Sequence, residues 1–111
     1  MDMFRTQQQR RDLCKKCPVA RVADILGDSC TLLILRDLLN KPCRFSDFEN
    51  SLSGISSRTL SNKLKRLEKD GLMVRKEFAG RMPHVKYALT KKGDALHDVI
   101  EAMRKYGKKY L

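Results

Sequence analysis

The sequence predicts a mainly α-helical domain with one small β hairpin, an α+β class, closed by a long C-terminal helix. Three observations carry this. Apolar residues recur at helical spacing in separate stretches before Gly71, the period drops to two between residues 72 and 90, and a helical stripe then resumes to the end of the chain. A chain of 111 residues and 12.8 kDa supports one modest core. A second lobe, a dinucleotide-binding unit or a large substrate cleft is not expected at this size.

The elements follow in order. After Cys17-Pro18, the residues Val19, Val22, Ala23 and Leu26 fall at i, i+3, i+4 and i+7, a stripe that Gly27 stops, and Pro18 suits the first helical position. A second helix runs through TLLILRDLLN (31–40). It is apolar on most sides and so central, and it ends before Lys41-Pro42 because a residue preceding proline is driven from the α region. FSDFENSL (45–52) forms a short third helix, with Phe45 expected in the core, and Ser53-Gly54 breaks it. Ser56 caps a fourth helix, SSRTLSNKLKRLEKD (56–70), in which Leu60, Leu64 and Leu67 share a face and Gly71 supplies the left-handed residue at the end. LMVRKEF (72–78) and HVKYALT (84–90) then alternate. Leu72, Val74 and Phe78 are expected to match Val85, Tyr87 and Leu89 across the hairpin, with AGRMP (79–83) as its loop. Thr90 is expected to cap one continuous last helix, whose apolar positions are Leu96, Val99, Ile100, Met103, Tyr106 and Tyr110.

This order, with helices three and four joined by the tight turn Leu52 to Ile55, is that of a winged helix-turn-helix with a C-terminal dimerisation helix. The expected division is an N-terminal arm (1–16), a winged helix-turn-helix DNA-binding domain (17–92) and a dimerisation helix (93–111). The last stripe outlasts the small domain it would pack on. A second copy of the chain is the simplest cover for it, so a homodimer is expected.

Charge points to the partner. The formal net charge is +11, and residues 56–92 hold most of the excess. A segment that positive, without a Trp- or Phe-rich lipid-facing helix, favours a polyanion, and double-stranded DNA is the expected one. On the fourth helix, steps of 100° per residue (3.6 residues per turn) put Arg58, Asn62, Lys65 and Lys69 opposite the leucine stripe, flanked by Thr59, Ser61 and Arg66. Arg58, Ser61, Asn62 and Lys65 are assigned to the major groove, where Arg can bridge guanine O6/N7 and Asn adenine N6/N7. Ser57 and Thr59 are placed nearer phosphate, and Lys69 is given a sequence-independent contact. At the wing, Arg81 is assigned to a narrow minor groove, with Lys76 and Lys86 meeting phosphates on either side.

These residues resemble the HxlR-type transcriptional regulators of bacteria and archaea. The resemblance covers residues 17 to about 103: the opening CPV, GDSCTLLILRDLL, RFSDFENSLSGIS, SRTLSNKLKRLEKDGLMVRK and the return PHVKYALTKKG. The chain departs from it at Ser29-Cys30, where the family usually has Lys-Trp. The resemblance implies a homodimeric DNA-binding regulator acting as repressor or activator of a neighbouring operon. It also implies that the cysteine matching Cys17 senses electrophiles or oxidants, as it does in several members.

The chain has four cysteines. Cys17 stands at the expected N-cap of the first helix, near Lys15, Lys16 and Arg21, surroundings that favour the reactive thiolate. An oxidant or small electrophile is the implied signal, with Cys14, Cys30 or a cysteine across the dimer as alternative disulfide partners. A zinc site is the weaker reading of C-x2-C-x12-C-x12-C, because Cys30 and Cys43 are lone residues on separate elements. No metal or cofactor is expected, and Cys43 is read as packing. No phosphate-cradling glycine loop, His/Cys nucleophile arrangement or acidic cluster is present, so an enzyme is not expected. The longest apolar run is Leu32 to Leu35 and the N-terminus lacks an apolar signal core, which predicts a soluble cytoplasmic protein. The alternative function is a non-specific architectural DNA- or RNA-binding protein without a sensing role.

Overall fold

The structure is a computed structural model that describes residues 17–111; the expected N-terminal arm, and Cys14 with it, lies outside these. Two compact units divide the chain, one ending at Leu32 and the other running Leu33–Leu111.

The first unit carries helix α1, Pro18–Leu26, and the opening turn of α2, Ser29–Asn40. Cys17 is the N-cap of α1 in extended conformation, with Pro18 in the first turn, where a missing N–H costs nothing. Gly27 ends the helix with φ −72°, so it is not a left-handed cap. Its Cβ-less backbone is needed instead because a Cβ would stand 2.6 Å from the Ala23 carbonyl oxygen. The α1 stripe is largely uncovered: Leu26 is buried, whereas Val19 is 77% exposed. Asp28 starts α2 two residues earlier than the apolar pattern alone indicates. Its carboxylate accepts from the Cys30 N–H at 3.3 Å and from the buried Thr31 hydroxyl at 2.8 Å, which satisfies donors of the first turn.

In the second unit the core is built from Ile34, Leu35 and Leu38 of α2, Phe48 and Leu52, Leu60, Leu64 and Leu67, Leu72, Met73 and Ile100. Helix α3, Phe45–Ser51, starts at Arg44, whose N–H donates to the Asp47 carboxylate at 2.8 Å. Phe48, and not the expected Phe45, is the core aromatic; Phe45 is only half-buried. Gly54, with φ +92°, turns the chain into α4, Ser57–Lys69, where the Ser56 hydroxyl accepts from the Thr59 N–H at 3.1 Å. At the other end Gly71 adopts φ +75°. Its N–H donates to the Glu68 carbonyl and that of Leu72 to the Leu67 carbonyl, both at 3.0 Å, a Schellman ending.

Strands β1, Met73–Phe78, and β2, His84–Leu89, form an antiparallel hairpin. The register pairs Met73 with Leu89, Arg75 with Tyr87 and Glu77 with Val85. The expected matching of Leu72, Val74 and Phe78 with Val85, Tyr87 and Leu89 is therefore wrong by one residue. An offset of one moves every side chain to the opposite face, so Val74 and Phe78 share the outer face with Ala88 and His84. Cys43 adds a single bridge to the hairpin: its N–H donates to the Tyr87 carbonyl at 2.9 Å and its carbonyl accepts from the Tyr87 N–H at 2.7 Å.

The single Thr90-capped helix of the sequence reading is in fact two. Thr90 caps a one-turn helix, α5 (Lys91–Asp94), its hydroxyl accepting from the Gly93 N–H at 3.2 Å. The long helix α6 is His97–Tyr110. Between them the Leu96 N–H takes the Gly93 carbonyl three residues back instead of four, which tightens and redirects the ladder. No helix of the described residues is long and apolar enough to cross a membrane.

Candidate nucleic-acid interface

Helix α4 separates its two faces cleanly. Leu60, Leu64 and Leu67 are buried, while Arg58, Asn62, Lys65 and Lys69 are exposed on the far side, so side chains with hydrogen-bonding and cationic ends line one surface. The leucines fix the roll of the helix about its axis, and that roll decides which residues face outward. Ser61 is half-buried at the margin.

Ser57 and Thr59 are exposed but engaged. The Ser57 hydroxyl donates to the Glu49 carboxylate of α3 at 3.4 Å, and the Thr59 hydroxyl accepts from Ser56 at 2.9 Å. Thr59 keeps its own O–H for a further acceptor such as a phosphate oxygen. Arg66 pairs with Asp70 at 2.9 Å along the helix.

On the hairpin, Lys76 and Lys86 are direct cross-strand partners on the outer face, with Val74 and Ala88 on one side of them and the Phe78–His84 stack on the other. They stand side by side across the two strands. Like charges directly opposite each other repel, and an anion between or beside them relieves that. Arg75, on the inner face, is held by hydrogen bonds to Glu77 and Tyr87, which raise its pKa above the ordinary arginine value. Arg81 is exposed in the loop beyond, next to Gly80, which turns with φ +125°. The His84 ring Nδ1 lies 2.9 Å from the Met82 carbonyl and braces that loop.

The thiols differ by burial. Cys17 and Cys30 are half-buried, while Cys43 is 2% exposed and its Sγ donates to the Lys41 carbonyl at 3.2 Å. Burial first, then the Asp37 and Asp47 carboxylates, push the Cys43 thiol up to about 11, against a smaller opposing effect of Lys41. That thiol is inert, in line with the packing role expected of it. Among the described residues no His/Cys/Asp/Glu group is arranged to hold a metal ion.

Two contributors escaped the sequence reading. The Cys43–Tyr87 bridge is a single-residue pairing with no periodicity to reveal it. Lys92, counted only as charge, reaches back to the end of α4.

Two adjoining helices in a helix-turn-helix, a polar outward face on the second and a basic hairpin after it are the features of a winged helix-turn-helix, and the family model of the HxlR-like helix-turn-helix matches residues 25–111. The chain belongs to the HxlR-like helix-turn-helix family. As an HxlR-like protein it is a DNA-binding transcriptional regulator of the helix-turn-helix type and not an enzyme. It is 34% identical over 95 residues to the HTH-type transcriptional regulator sll1512 of Synechocystis, an alignment covering 86% of this chain and 70% of that protein. Among solved structures, the oxidised form of the redox regulator HypR superposes with a TM-score of 0.79 at 27% identity, over 86% of this chain and 98% of that one. The reduced form of the transcriptional regulator YodB from Bacillus subtilis gives a TM-score of 0.74 at 30% identity, over 85% of this chain and 93% of that one.

Proposed function

We propose that the protein acts as a homodimer on an inverted-repeat operator, with α4 in the major groove, the hairpin tip in the adjacent minor groove, and binding controlled by oxidation or alkylation of Cys17. The observation that carries the DNA reading is the α4 face: Arg58, Asn62, Lys65 and Lys69 point away from a fully buried leucine row, and the hairpin that follows carries Lys76 and Lys86 as cross-strand partners. In this reading Arg58, Ser61, Asn62 and Lys65 meet base edges, Ser57, Thr59, Lys69, Lys76 and Lys86 meet phosphates, and Arg81 enters the minor groove.

The dimer rests on α6. Val99, Met103, Tyr106 and Tyr110 fall within about 60° of arc at 3.6 residues per turn, and Tyr106 and Tyr110 are 60% and 63% exposed, while Ile100 alone of that helix is buried. Gly107 lies along the same helix with nothing within 4 Å of where a Cβ would be, which leaves room for a neighbouring helix to approach closely. Two copies joined there present two α4 helices to half-sites about one helical turn apart.

The thiol switch is supported by the half-buried state of Cys17 and Cys30, by the exclusion of Cys43, and by the solved relatives. HypR is a redox regulator known in oxidised and reduced forms, and YodB in reduced and diamide-treated forms. An oxidant such as diamide would take two electrons and two protons from Cys17 and a second thiol, that of Cys14, Cys30 or the other copy, as the S–S bond forms. The test is selection of bound fragments from the parent genome with and without diamide, followed by titration of the selected site with wild type and Cys17→Ser. A preference of about a thousandfold over competitor DNA, lost or gained on oxidation in wild type only, is the expected result. Without that preference the protein is a non-specific nucleic-acid binder; equal affinity of oxidised and reduced wild type makes Cys17 structural.

A further inference from the structure

The end of α4 and the two ends of the hairpin meet at one place, and the bonding there is dense. A helix leaves its last carbonyls without partners inside the helix. Beyond the Schellman ending, the carbonyls of Asp70, Gly71 and Leu72 still need donors, and each one finds its donor about twenty residues later in the chain. The Lys92 ammonium donates to the Asp70 carbonyl at 2.8 Å, the Thr90 hydroxyl to the Gly71 carbonyl at 2.6 Å and the Thr90 N–H to the Leu72 carbonyl at 3.0 Å. The Thr90 hydroxyl is used twice, because it also accepts from the Gly93 N–H at 3.2 Å. Gly93 closes the arrangement from the other side: a Cβ there would lie 2.1 Å from the Leu72 carbonyl oxygen, so only glycine lets the backbones approach this closely. Lys92 also places a positive charge at the negative end of the α4 dipole.

We infer that Thr90, with Lys92 and Gly93, is a positioning group that locks the hairpin at a fixed angle to α4, so that base reading by α4 and the minor-groove contact of Arg81 occur together. This rests on the reading of the hairpin as a DNA contact. The lever arm makes the lock matter. Each strand has six residues, about 20 Å of extended chain, so a 10° error at the base moves the tip by about 3.5 Å, more than the length of a hydrogen bond. An unlocked hairpin, still tethered by the Cys43–Tyr87 bridge, would bring Arg81 to the groove less often while α4 still docked.

The experiment is a double-mutant cycle on operator affinity with full-length protein, paired with residual dipolar couplings of the free protein. Arg81→Ala is expected to weaken wild type about tenfold. In the Thr90→Val background, which alone costs about five- to tenfold, the same change is expected to cost less than about twofold, because the two act through one contact. Thr90→Ser keeps the bifunctional hydroxyl and restores affinity. Lys92→Met, at an exposed position, gives a smaller loss of the same kind. In the free protein, couplings from α4 and the hairpin fit one alignment tensor in wild type and Thr90→Ser, and require two in Thr90→Val. Equal cost of Arg81→Ala in both backgrounds, or one tensor for folded Thr90→Val, overturns the lock. If Arg81→Ala leaves wild-type binding unchanged while Thr90→Val frees the hairpin, the hairpin is not a DNA contact, and the lock has no part in binding.

Discussion

Lys86→Glu is expected to raise the stability of the free protein and lower its affinity for DNA. Lys76 and Lys86 are opposed in the hairpin register, where Cβ atoms stand about 5 Å apart. Ammonium groups about 6 Å apart in water repel by about 0.7 kcal/mol. Glutamate converts it to an attraction of similar size, and because Lys76 is exposed, salt and solvent reduce the total change to about 0.5–1 kcal/mol. In a domain of this length that raises Tm by about 3–6 °C. If Lys86 meets a phosphate as proposed, the substitution removes that contact from each copy and puts a carboxylate against the backbone. The slope of log K against log salt is expected to fall by at least about 1 per protomer, with an affinity loss of about tenfold or more near physiological salt. Thermal unfolding without DNA and anisotropy titrations between about 50 and 200 mM salt measure the two effects. An unchanged or lowered Tm would refute the like-charge pair, and an unchanged salt slope would refute the phosphate contact.

Arg58→Ala and Asn62→Ala are each expected to cost about 1–3 kcal/mol and to relax preference at one base pair, while Lys69→Ala weakens all sequences alike; a uniform loss from all three, measured against a panel of single-base operator variants, would remove base reading from α4. Met103→Glu with Tyr106→Glu changes exposed residues only, so a folded monomer in sedimentation with much weaker operator binding is expected, and an unaltered dimer would place the seam elsewhere. Cys43 predicts an alkaline loss of stability. Burial lifts its thiol from 9.0 to about 11, so the folded chain holds that proton more tightly than the unfolded one. The contribution is fully present below about pH 9 and is lost as pH rises to about 11, to the extent of about 2–3 kcal/mol. Urea unfolding from pH 8 to 11 should show a steeper decline in wild type than in Cys43→Ala; parallel profiles would contradict it.

Much of this fold was legible in the chain because its signals are local. The spacing of Leu60, Leu64 and Leu67 determined both that α4 is a helix and which of its residues face outward. Ser56 and Thr90 as caps and Gly71 as a left-handed terminus were readable from residue type, since each acts within three or four positions of itself. The HxlR resemblance followed from the same stretches. The hairpin face was not readable. Leu72, Met73 and Val74 are all apolar, so alternation offers two registers one residue apart, and only the burial of Met73 against the rest of its unit selects between them. The same holds for the core aromatic, where Phe45 and Phe48 compete on one short helix and the tilted contact of Phe48 with Tyr87, centroids 6.1 Å apart, decides. The break between α5 and α6, the Cys43–Tyr87 bridge and the bonding of Thr90 and Lys92 to the end of α4 are decisions of tertiary structure alone. Carbonyls left open at a helix end must find donors, and here the donors come from about twenty residues downstream, a distance at which periodicity and propensity carry no information.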